Sequence, residues 1–451
     1  MTKKAYERPL IKKLETGMPG KFGMRNDLVP KTHIDDVAVS DLVEKYGSPL
    51  FVMSEHTIVR MMNKARRAFT TRYPRVQFAW SYKTNYLDTI CRIFHREGAW
   101  AEVVSGFEYE KALRNGIDGK KIIFNGPEKS RVDLLKAIRN DSLIHIDHLD
   151  ELYELVELAG ETNSKPRVAI RVNMDTGIYP QWDRFGFNLE NGQAWDAINK
   201  IVHSGKLELT GLHCHIGTFI LTASAYGIAA AKLAQLAIEI RNKFNFSVKY
   251  LDLGGGFASR NTLKGSYMPG PDINPTFDDY AEAIATSLHN SGFETSELPL
   301  LILETGRALV DEAGYLITTV IGNKRLASGG RSTIIDAGVN LMFTSFWYDH
   351  KIVPAQPFSL YQEETMICGP LCMNIDVIRN SISLPLLKKG DRLVIFNTGA
   401  YNVTQWMQFI TMRPAVVLIS PDGDDYLIRK KEDIDTLLQS ELLPDFLNHK
   451  K

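Results

Sequence analysis

The sequence predicts an α/β fold in which a (β/α)8 barrel precedes a separate β-domain. Three observations lead to this prediction. Short apolar strands alternate with helical stretches from about residue 48, and strands joined by helices pair in parallel, so that this many units favour a closed barrel over an open doubly wound sheet. After Arg307 the segments are β-rich and are separated by Gly and Asp turns. Polar residues also stand where several predicted strands end, which is the face that carries the active site in such barrels.

The change near Arg307, from alternating strands and helices to β-rich segments, divides the 451-residue chain into two predicted domains. The barrel domain is expected to span residues 46–310, and the C-terminal β-domain is expected to span residues 311–451. Residues 1–45 are expected to pack on the β-domain.

The composition argues against several classes of function. Lys plus Arg and Asp plus Glu both number 53 without a long single-sign block, so we predict no nucleic-acid surface and no anionic membrane partner. The most apolar helical segment, residues 226–240, is interrupted by Lys232, Gln235 and Glu239, and the first residues lack the apolar stretch of a secretory signal. Four cysteines do not make a disulfide framework. These features predict a cytoplasmic protein with a small-molecule substrate.

Lys83 lies in the segment FAWSYKTN, directly after an apolar strand. A strongly hydrated ammonium group is unusual there unless the strand ends at the opening of an active site, where the lysine pKa can be lowered for imine formation. Taken alone, the pattern is more typical of a surface lysine at a strand end.

The segment HCHIGT places His213 and His215 at alternate strand positions, and therefore on one face of the strand. Two such histidines can bind zinc, but no third ligand follows at metal spacing, so we predict no metal site. A neutral imidazole ring stacked on a flat cofactor explains a histidine at a strand end equally well.

Four further segments carry residues suited to chemistry. The three glycines of LDLGGGF allow backbone N–H groups to approach a phosphate, although a tight turn explains them too. LILETGR contains Glu304 and Arg307, which a surface ion pair would also explain. In the β-domain, CGPLCMNID contains Cys372 and NTGAYN contains Tyr401, but a lone cysteine is more often inert than reactive.

Taken in order, these motifs resemble those of the fold-type III pyridoxal-phosphate decarboxylases, the group that contains diaminopimelate decarboxylase and eukaryotic-type ornithine decarboxylase. The matching segments span roughly residues 49–404 and are SYKTN, EVVSGFE, HCHIGT, DLGGGF, ETGR, DAGVN, CGPLCMNID and GAY. The resemblance implies the alanine racemase-like combination of a TIM-like barrel and a C-terminal β-domain. It also implies pyridoxal 5'-phosphate as cofactor and a homodimer with shared active sites.

The resemblance assigns roles to individual residues. It makes Lys83 the Schiff-base lysine, stacks His215 on the pyridine ring, and makes Cys372 a proton donor that approaches from the partner subunit. Glu102 and Glu108 match acidic positions behind the lysine. The other positions that it places at the cofactor are Arg171, Thr218, Gly255, Gly256, Glu304, Thr305, Gly306, Arg307 and Tyr401. Those that it places at the substrate are Arg307, Tyr348, Asp349, Met373 and Tyr401.

Glu304 favours decarboxylation over racemisation. A carboxylate beside the ring nitrogen keeps that nitrogen protonated, and a protonated ring is the stronger sink for the electrons left on Cα when carbon dioxide departs. Racemases on the same barrel place an arginine there. Cys372 can then return a proton to Cα as a general acid.

The residues at the expected substrate-binding positions differ from those usual in the family. Diaminopimelate decarboxylases usually carry an arginine where this chain has Thr344 and a glutamate where it has Met373. Ornithine decarboxylases match Tyr348 and Asp349, but they too place an acid after the cysteine. Loss of a charge-assisted contact costs on the order of 1.5–3 kcal/mol, so we expect inefficient turnover of meso-diaminopimelate.

These departures predict a substrate with a modified distal end. The leading hypothesis is a citryl-diamino acid such as citryl-ornithine, as in siderophore biosynthesis, with Arg184 and Arg260 as its cationic partners. Bulky Phe343, Phe346 and Trp347 either face this substrate or belong to the β-domain core. The alternatives are a meso-diaminopimelate decarboxylase of lysine biosynthesis, an ornithine or lysine decarboxylase, an amino-acid racemase, and a non-catalytic binding protein.

Overall fold

The computed structural model describes residues 28–266 and 268–447 of the chain. The first described elements are short. An antiparallel pair, β1 (His33–Ile34) and β2 (Val37–Ala38), leads into helix α1 (Val39–Tyr46) and then into strand β3 (Leu50–Ser54).

Eight parallel strands form the closed barrel that the sequence predicts. In chain order, with the two-residue side strand β9, the strands are β4 (Val76–Ser81), β5 (Trp100–Val103), β6 (Ile122–Phe124), β7 (Leu143–Ile146), β8 (Arg167–Asn173), β9 (Phe187–Asn188), β10 (Glu208–His213), β11 (Tyr250–Asp252) and β12 (Leu300–Leu303). Strand β12 pairs with β4, and β10 pairs with β8, so the ring closes without a free edge. The predicted barrel is therefore confirmed.

Helices alternate with the barrel strands along the chain. They are α2 (Glu55–Thr70), α3 (Asp88–Arg96), α4 (Gly106–Arg114), α5 (Arg131–Arg139), α6 (Leu149–Glu161), α7 (Gln193–Ser204), α8 (Ser224–Phe244), α9 (Gly270–Ile273), α10 (Phe277–His289) and α11 (Arg307–Val310). Serine hydroxyls mark several starts: Ser54, Ser105 and Ser130 each accept a hydrogen bond from a backbone N–H in the first helical turn. No helix of the described ranges is both long and apolar enough to cross a membrane.

Side chains fill the barrel interior. A buried cluster of Ala79, Ile123, Leu143, Ala169, Tyr250 and Ile302 brings together residues from six different strands. The barrel is thus a packed core, and polar side chains gather beyond it, where the strands end.

The second domain is mostly β-structure, as expected. Its elements are β13 (Gly314–Arg325), β14 (Arg331–Ile335), β15 (Ile352–Pro354), β16 (Gln362–Cys368), β17 (Val377–Pro385), β18 (Arg392–Phe396), β19 (Ala415–Ile419), β20 (Asp425–Arg429) and helix α12 (Ile434–Leu438). The main sheet has the strand order β17-β16-β14-β13-β3-β19-β20, and β18 also pairs with β13.

Strand β3 belongs to this second sheet and not to the barrel. It pairs antiparallel with β13 and parallel with β19. All five of its residues are buried, and a strand buried on both faces has the same apolar pattern in a barrel and in a central sheet position. The division into residues 46–310 and 311–451 therefore needs this correction, and it is otherwise still a prediction.

The described part of the N-terminal segment, residues 28–45, contacts the β-domain. Ile34, Val39 and Leu42 share a buried cluster with Val353 and Val394 of the β-domain. This contact supports the expected packing for residues 28–45, and residues 1–27 of that prediction lie outside the described residues.

Candidate active site

The carboxyl ends of the barrel strands open into a cavity of about 420 Å³. Its walls come from the barrel and from the β-domain. The lining residues are Ser81, Lys83, Trp182, His215, Thr218, Phe219, Gly255, Gly256, Phe257, Leu263, Glu304, Gly306, Arg307, Trp347, Tyr348, Tyr401 and Gln405.

Lys83 reaches the cavity from the turn that follows β4. Its Nζ donates to both carboxylate oxygens of Glu102, at 2.9 Å and 2.8 Å, and its side chain is 40% exposed whereas that of Glu102 is fully buried. Burial alone would lower the pKa of Lys83, but interactions with Glu102, Tyr401 and Glu304 outweigh it and hold the pKa above its ordinary value. The shift is opposite to the lowering expected for imine formation, and Glu102 is the acid in direct contact with the lysine ammonium.

Glu304 follows β12 and is 5% exposed. Its Oε1 accepts a 2.5 Å hydrogen bond from Nδ2 of Asn125, and its Oε2 lies 3.5 Å from Nε2 of His213. Burial lowers the pKa of His213 well below its usual range. Burial and the nearby Glu304 raise the pKa of Asp252 well above its usual range. These shifts favour the neutral forms of His213 and Asp252, and no lysine or arginine of the described residues lies within ion-pair distance of Glu304.

His215 and the glycine segment after β11 form one wall. The backbone N–H of Gly255 donates to Nδ1 of His215 at 3.2 Å. A Cβ atom on Gly255 would lie 2.4 Å from the carbonyl oxygen of Glu304, and one on Gly256, where φ is +93°, would lie 2.1 Å from that of Gly217. Only glycine fits this close approach, which leaves the backbone bare towards the cavity.

Arg307 lies deeper in the cavity, among aromatic rings. Its guanidinium carbon is 4.6 Å from the ring centre of Tyr401 and 4.9 Å from that of Tyr348, and Nη1 is 3.9 Å from Oδ2 of Asp311. Nη1 is buried and has no hydrogen-bond partner within the described part of the chain. A buried guanidinium N–H with no acceptor is well suited to bind a carboxylate or phosphate. The alternative of a surface ion pair with Glu304 is therefore wrong.

Several residues that the sequence assigns to the cofactor stand behind the cavity wall. Arg171 pairs with Asp147 at 3.6 Å, and Thr305 is buried; neither lines the cavity. Glu108 accepts a 2.9 Å hydrogen bond from the backbone of Val104, and burial raises its pKa to about 7.

Two predicted substrate residues also point elsewhere. Asp349 forms an ion pair with Arg379 at 3.4 Å, although its neighbour Tyr348 lines the cavity. Met373 does not line the cavity of its own chain and packs at the edge of the main hydrophobic core. The predicted contact between Asp349 and a distal substrate amine is not supported by this geometry.

The proposed cationic partners of a citryl group lie outside the cavity as well. Arg184 is exposed and stacks on Phe185 with its guanidinium carbon 4.9 Å from the ring centre. Arg260 is exposed and lies 4.0 Å from the Glu312 carboxylate. Neither lines the cavity, so that expectation is wrong.

Cys372 is exposed, and the turn that carries it is built around a buried carboxylate. Asp376 accepts hydrogen bonds from the backbone N–H groups of Val339 and Leu371 at 2.8 Å and 2.7 Å. This connects the DAGVN and CGPLCMNID motifs. Cys372 is not among the residues that line the cavity of its own chain.

The sequence did not indicate every residue that lines the cavity or lies directly behind it. Trp182, Phe219, Leu263 and Gln405 line the cavity, and Asn125 lies behind it between two carboxylates. Aromatic and amide side chains in loops are common, and no local pattern sets these apart. For Gln405, the spacing of four from Tyr401 was the one usable signal.

Comparison with known proteins gives consistent matches. The family model described as "Pyridoxal-dependent decarboxylase, pyridoxal binding domain" matches residues 56–311. A diaminopimelate decarboxylase of Methanocaldococcus jannaschii is 31% identical over 432 residues, which cover 92% of this chain and 95% of that protein. The diaminopimelate decarboxylase of Bacillus subtilis is 29% identical over 414 residues, covering 89% and 93%. The crystal structure of the M. jannaschii enzyme in complex with L-lysine has a TM-score of 0.84 at 29% identity, covering 94% and 99%.

Proposed function

The chain belongs to the fold-type III pyridoxal-phosphate decarboxylases, and we propose that its substrate is a diamino acid of the diaminopimelate kind, with meso-diaminopimelate as the first candidate. As a member of this family, it is an amino-acid decarboxylase that uses pyridoxal phosphate.

The residues of the cavity fit this cofactor. Lys83 presents an accessible amine for covalent attachment of the aldehyde, and the bare backbone of Gly255 and Gly256 offers room for the phosphate. Tyr401 lines the same cavity, and Glu304 is the carboxylate available to the ring nitrogen. When bound, the group supplies the electron sink that decarboxylation at Cα requires.

The protein's own part in the reaction is to manage protons and orient the substrate. Glu102 contacts Lys83 with both oxygens and is placed to take the proton that the amine must lose before it can attack a carbonyl. Glu304 offers a second negative charge, after β12, where a protonated ring nitrogen is to be stabilised. The apolar walls of Phe219, Leu263 and Trp347 limit water around these charges.

The observation that carries the substrate proposal is the buried Nη1 of Arg307 in the cavity, which has no hydrogen-bond acceptor among the described residues. Bidentate guanidinium binding suits a carboxylate, and meso-diaminopimelate has two carboxylates. The relatives named above support the same choice, since the two proteins with 31% and 29% identity over about nine-tenths of this chain are diaminopimelate decarboxylases.

Support for a citryl conjugate is weaker. Arg184 and Arg260 lie outside the cavity, so a polyanionic citryl group would find no cationic side chain among the lining residues beyond Lys83 and Arg307. Thr344, which stands in place of the family's arginine, is buried and hydrogen bonded to Asn402 at 2.9 Å. A different contact would then hold the distal end of diaminopimelate, and the exposed polar side chains of Thr218 and Gln405 line the cavity.

A homodimer is part of this proposal. Cys372 is exposed outside its own cavity, and the exposed apolar side chains Phe346, Ile375, Met407 and Phe409 lie close to it or to the cavity in sequence. A second copy that covers these side chains would carry its own Cys372 towards the neighbouring cavity, where the thiol would serve as proton donor.

The substrate proposal is tested by measuring carbon dioxide release from meso-diaminopimelate, L-lysine, L-ornithine and citryl-ornithine by the purified, cofactor-loaded enzyme. We expect meso-diaminopimelate to have the highest kcat/KM and to give one lysine for each carbon dioxide. A higher kcat/KM for citryl-ornithine would restore the conjugate hypothesis. Interconversion of stereoisomers with full retention of the carboxyl groups would indicate a racemase instead.

A further inference from the structure

Asn125 connects the two carboxylates that flank the cavity. It follows the short strand β6 and is 4% exposed. Its Nδ2 donates to Oε1 of Glu102 at 3.0 Å and to Oε1 of Glu304 at 2.5 Å, although these acids come from strands at different positions around the barrel. The amide is a direct bridge between the acid at Lys83 and the acid assigned to the ring nitrogen.

The orientation of this amide is determined by its partners. Ionised carboxylates only accept hydrogen bonds, so an amide turned by 180° would set Oδ1 against two negative oxygens. The backbone is held as well: the N–H of Asn125 donates to the carbonyl oxygen of Val103 at 2.8 Å. Gly126 follows with φ of +101°, where a Cβ atom would lie 2.8 Å from the carbonyl oxygen of Val104. The side chain therefore has little freedom to leave the bridge.

The chemistry of the site needs such a group. Glu102 also accepts from Lys83 and from the hydroxyl of Ser81, whereas Glu304 has His213 at 3.5 Å and the nearby Asp252 as its other neighbours. The neutral Asn125 amide donates a hydrogen bond to each of the two buried carboxylates. It adds no positive charge that would cancel their negative charge near a bound ring.

We propose that Asn125 is a positioning residue that aims Glu304 at the ring nitrogen of the cofactor while it holds Glu102 on Lys83. The inference rests on the family assignment and on the role proposed above for Glu304. Asn125 does not line the cavity, so it acts through the two acids and does not contact the substrate.

The test uses the holoenzyme with the variants Asn125→Ala and Asn125→Asp. A carboxylate that loses a donated hydrogen bond holds a proton more tightly, so the pH midpoint of the bound-cofactor absorbance should rise in Asn125→Ala. It should rise further in Asn125→Asp, which keeps the shape and adds a third acid. Because Glu304 is then no longer held towards the ring nitrogen, kcat should fall by about 10- to 100-fold in both variants.

Asn323→Ala is the matched control. The Asn323 side chain also makes two hydrogen bonds, to Leu387 and from Thr333, but it lies in the β-domain outside the cavity. The control should lose stability while it keeps the wild-type absorbance midpoint. If Asn125→Ala does not fold, Asn125→Asp serves as the test, because aspartate has nearly the shape of asparagine.

Wild-type midpoints in both Asn125 variants, or an equal change in the control, would overturn the proposal. The absorbance titration requires no substrate, so it is independent of the substrate proposal. If the wild-type enzyme fails to release carbon dioxide from meso-diaminopimelate, only the substrate assignment is lost.

Discussion

The Nζ atom of Lys83 lies within 2.9 Å of both carboxylate oxygens of Glu102, on the neighbouring barrel strand. Burial lowers the pKa of this lysine and the nearby acids raise it, with a net increase. The amine must be neutral to attack the cofactor aldehyde, so we expect this pair to control how the cofactor is attached.

Replacing Glu102 by Gln should change how readily Lys83 loses its proton. Without the carboxylate the pKa of Lys83 should fall, and the rate of cofactor attachment should begin to rise at a lower pH than in the wild type. Stopped-flow absorbance after addition of pyridoxal phosphate to the apoenzyme measures this rate. Glu110→Gln, which removes a surface acid beside Lys136, is the control and should keep the wild-type profile. A profile for Glu102→Gln that stays in place or moves to higher pH would show that Glu102 does not govern the lysine.

Glu108 provides a prediction about stability. Burial raises its pKa to about 7 from an ordinary 4.5, so between these values the folded protein keeps a proton that the unfolded chain has released. The free energy of unfolding should therefore fall as the pH rises through this window, by on the order of 3 kcal/mol. Glu108→Gln should remove this loss and be the more stable protein above pH 7, as measured by urea unfolding across pH. If the free energy of unfolding depends on pH in the same way in the wild type and in Glu108→Gln, this prediction is contradicted.

Arg307→Lys tests how the substrate carboxylate is bound. Lysine keeps the charge but loses the planar fork that stacks between Tyr348 and Tyr401. We expect kcat/KM to fall by about 10- to 100-fold, mainly through KM. Arg241→Gln, which removes a surface pair with Glu297, is the control and should leave the kinetics unchanged. An unchanged KM in Arg307→Lys would remove Arg307 from the substrate site.

Mixing two inactive variants tests the shared active site. Lys83→Ala and Cys372→Ala should each have little activity alone. If Cys372 acts across the subunit interface, unfolding and refolding them together should form mixed dimers with one complete site, and about a quarter of the wild-type activity should return. Recovery should be absent if both residues serve the same chain's cavity. Light scattering of the wild type should give the mass of a dimer.

The sequence predicted the barrel and the position of its site because both depend on repeated local patterns. Strand and helix alternation is visible along the chain, and parallel strands bring their carboxyl ends to one face. Strand β3 was misplaced because its five buried residues carry no alternation that distinguishes a central sheet strand from a barrel strand.

The errors at the site have a similar origin. Tyr348 and Asp349 are adjacent, yet one faces the cavity and the other pairs with Arg379, and a sequence match alone does not distinguish these two directions. Asn125 was missed because an asparagine before a glycine is typical of a turn. Its contacts with Glu102 and Glu304 depend on closure of the barrel, which brings together residues 179 positions apart.

The most direct test of the central claim is the absorbance and carbon dioxide release of Lys83→Ala after addition of pyridoxal phosphate. We predict that the absorbance band of the lysine-bound cofactor, present in the wild type, is absent from the variant, and that no carbon dioxide is released from any amino acid that the wild type decarboxylates. Substantial carbon dioxide release by Lys83→Ala would contradict the assignment of Lys83 and the account of the site built on it.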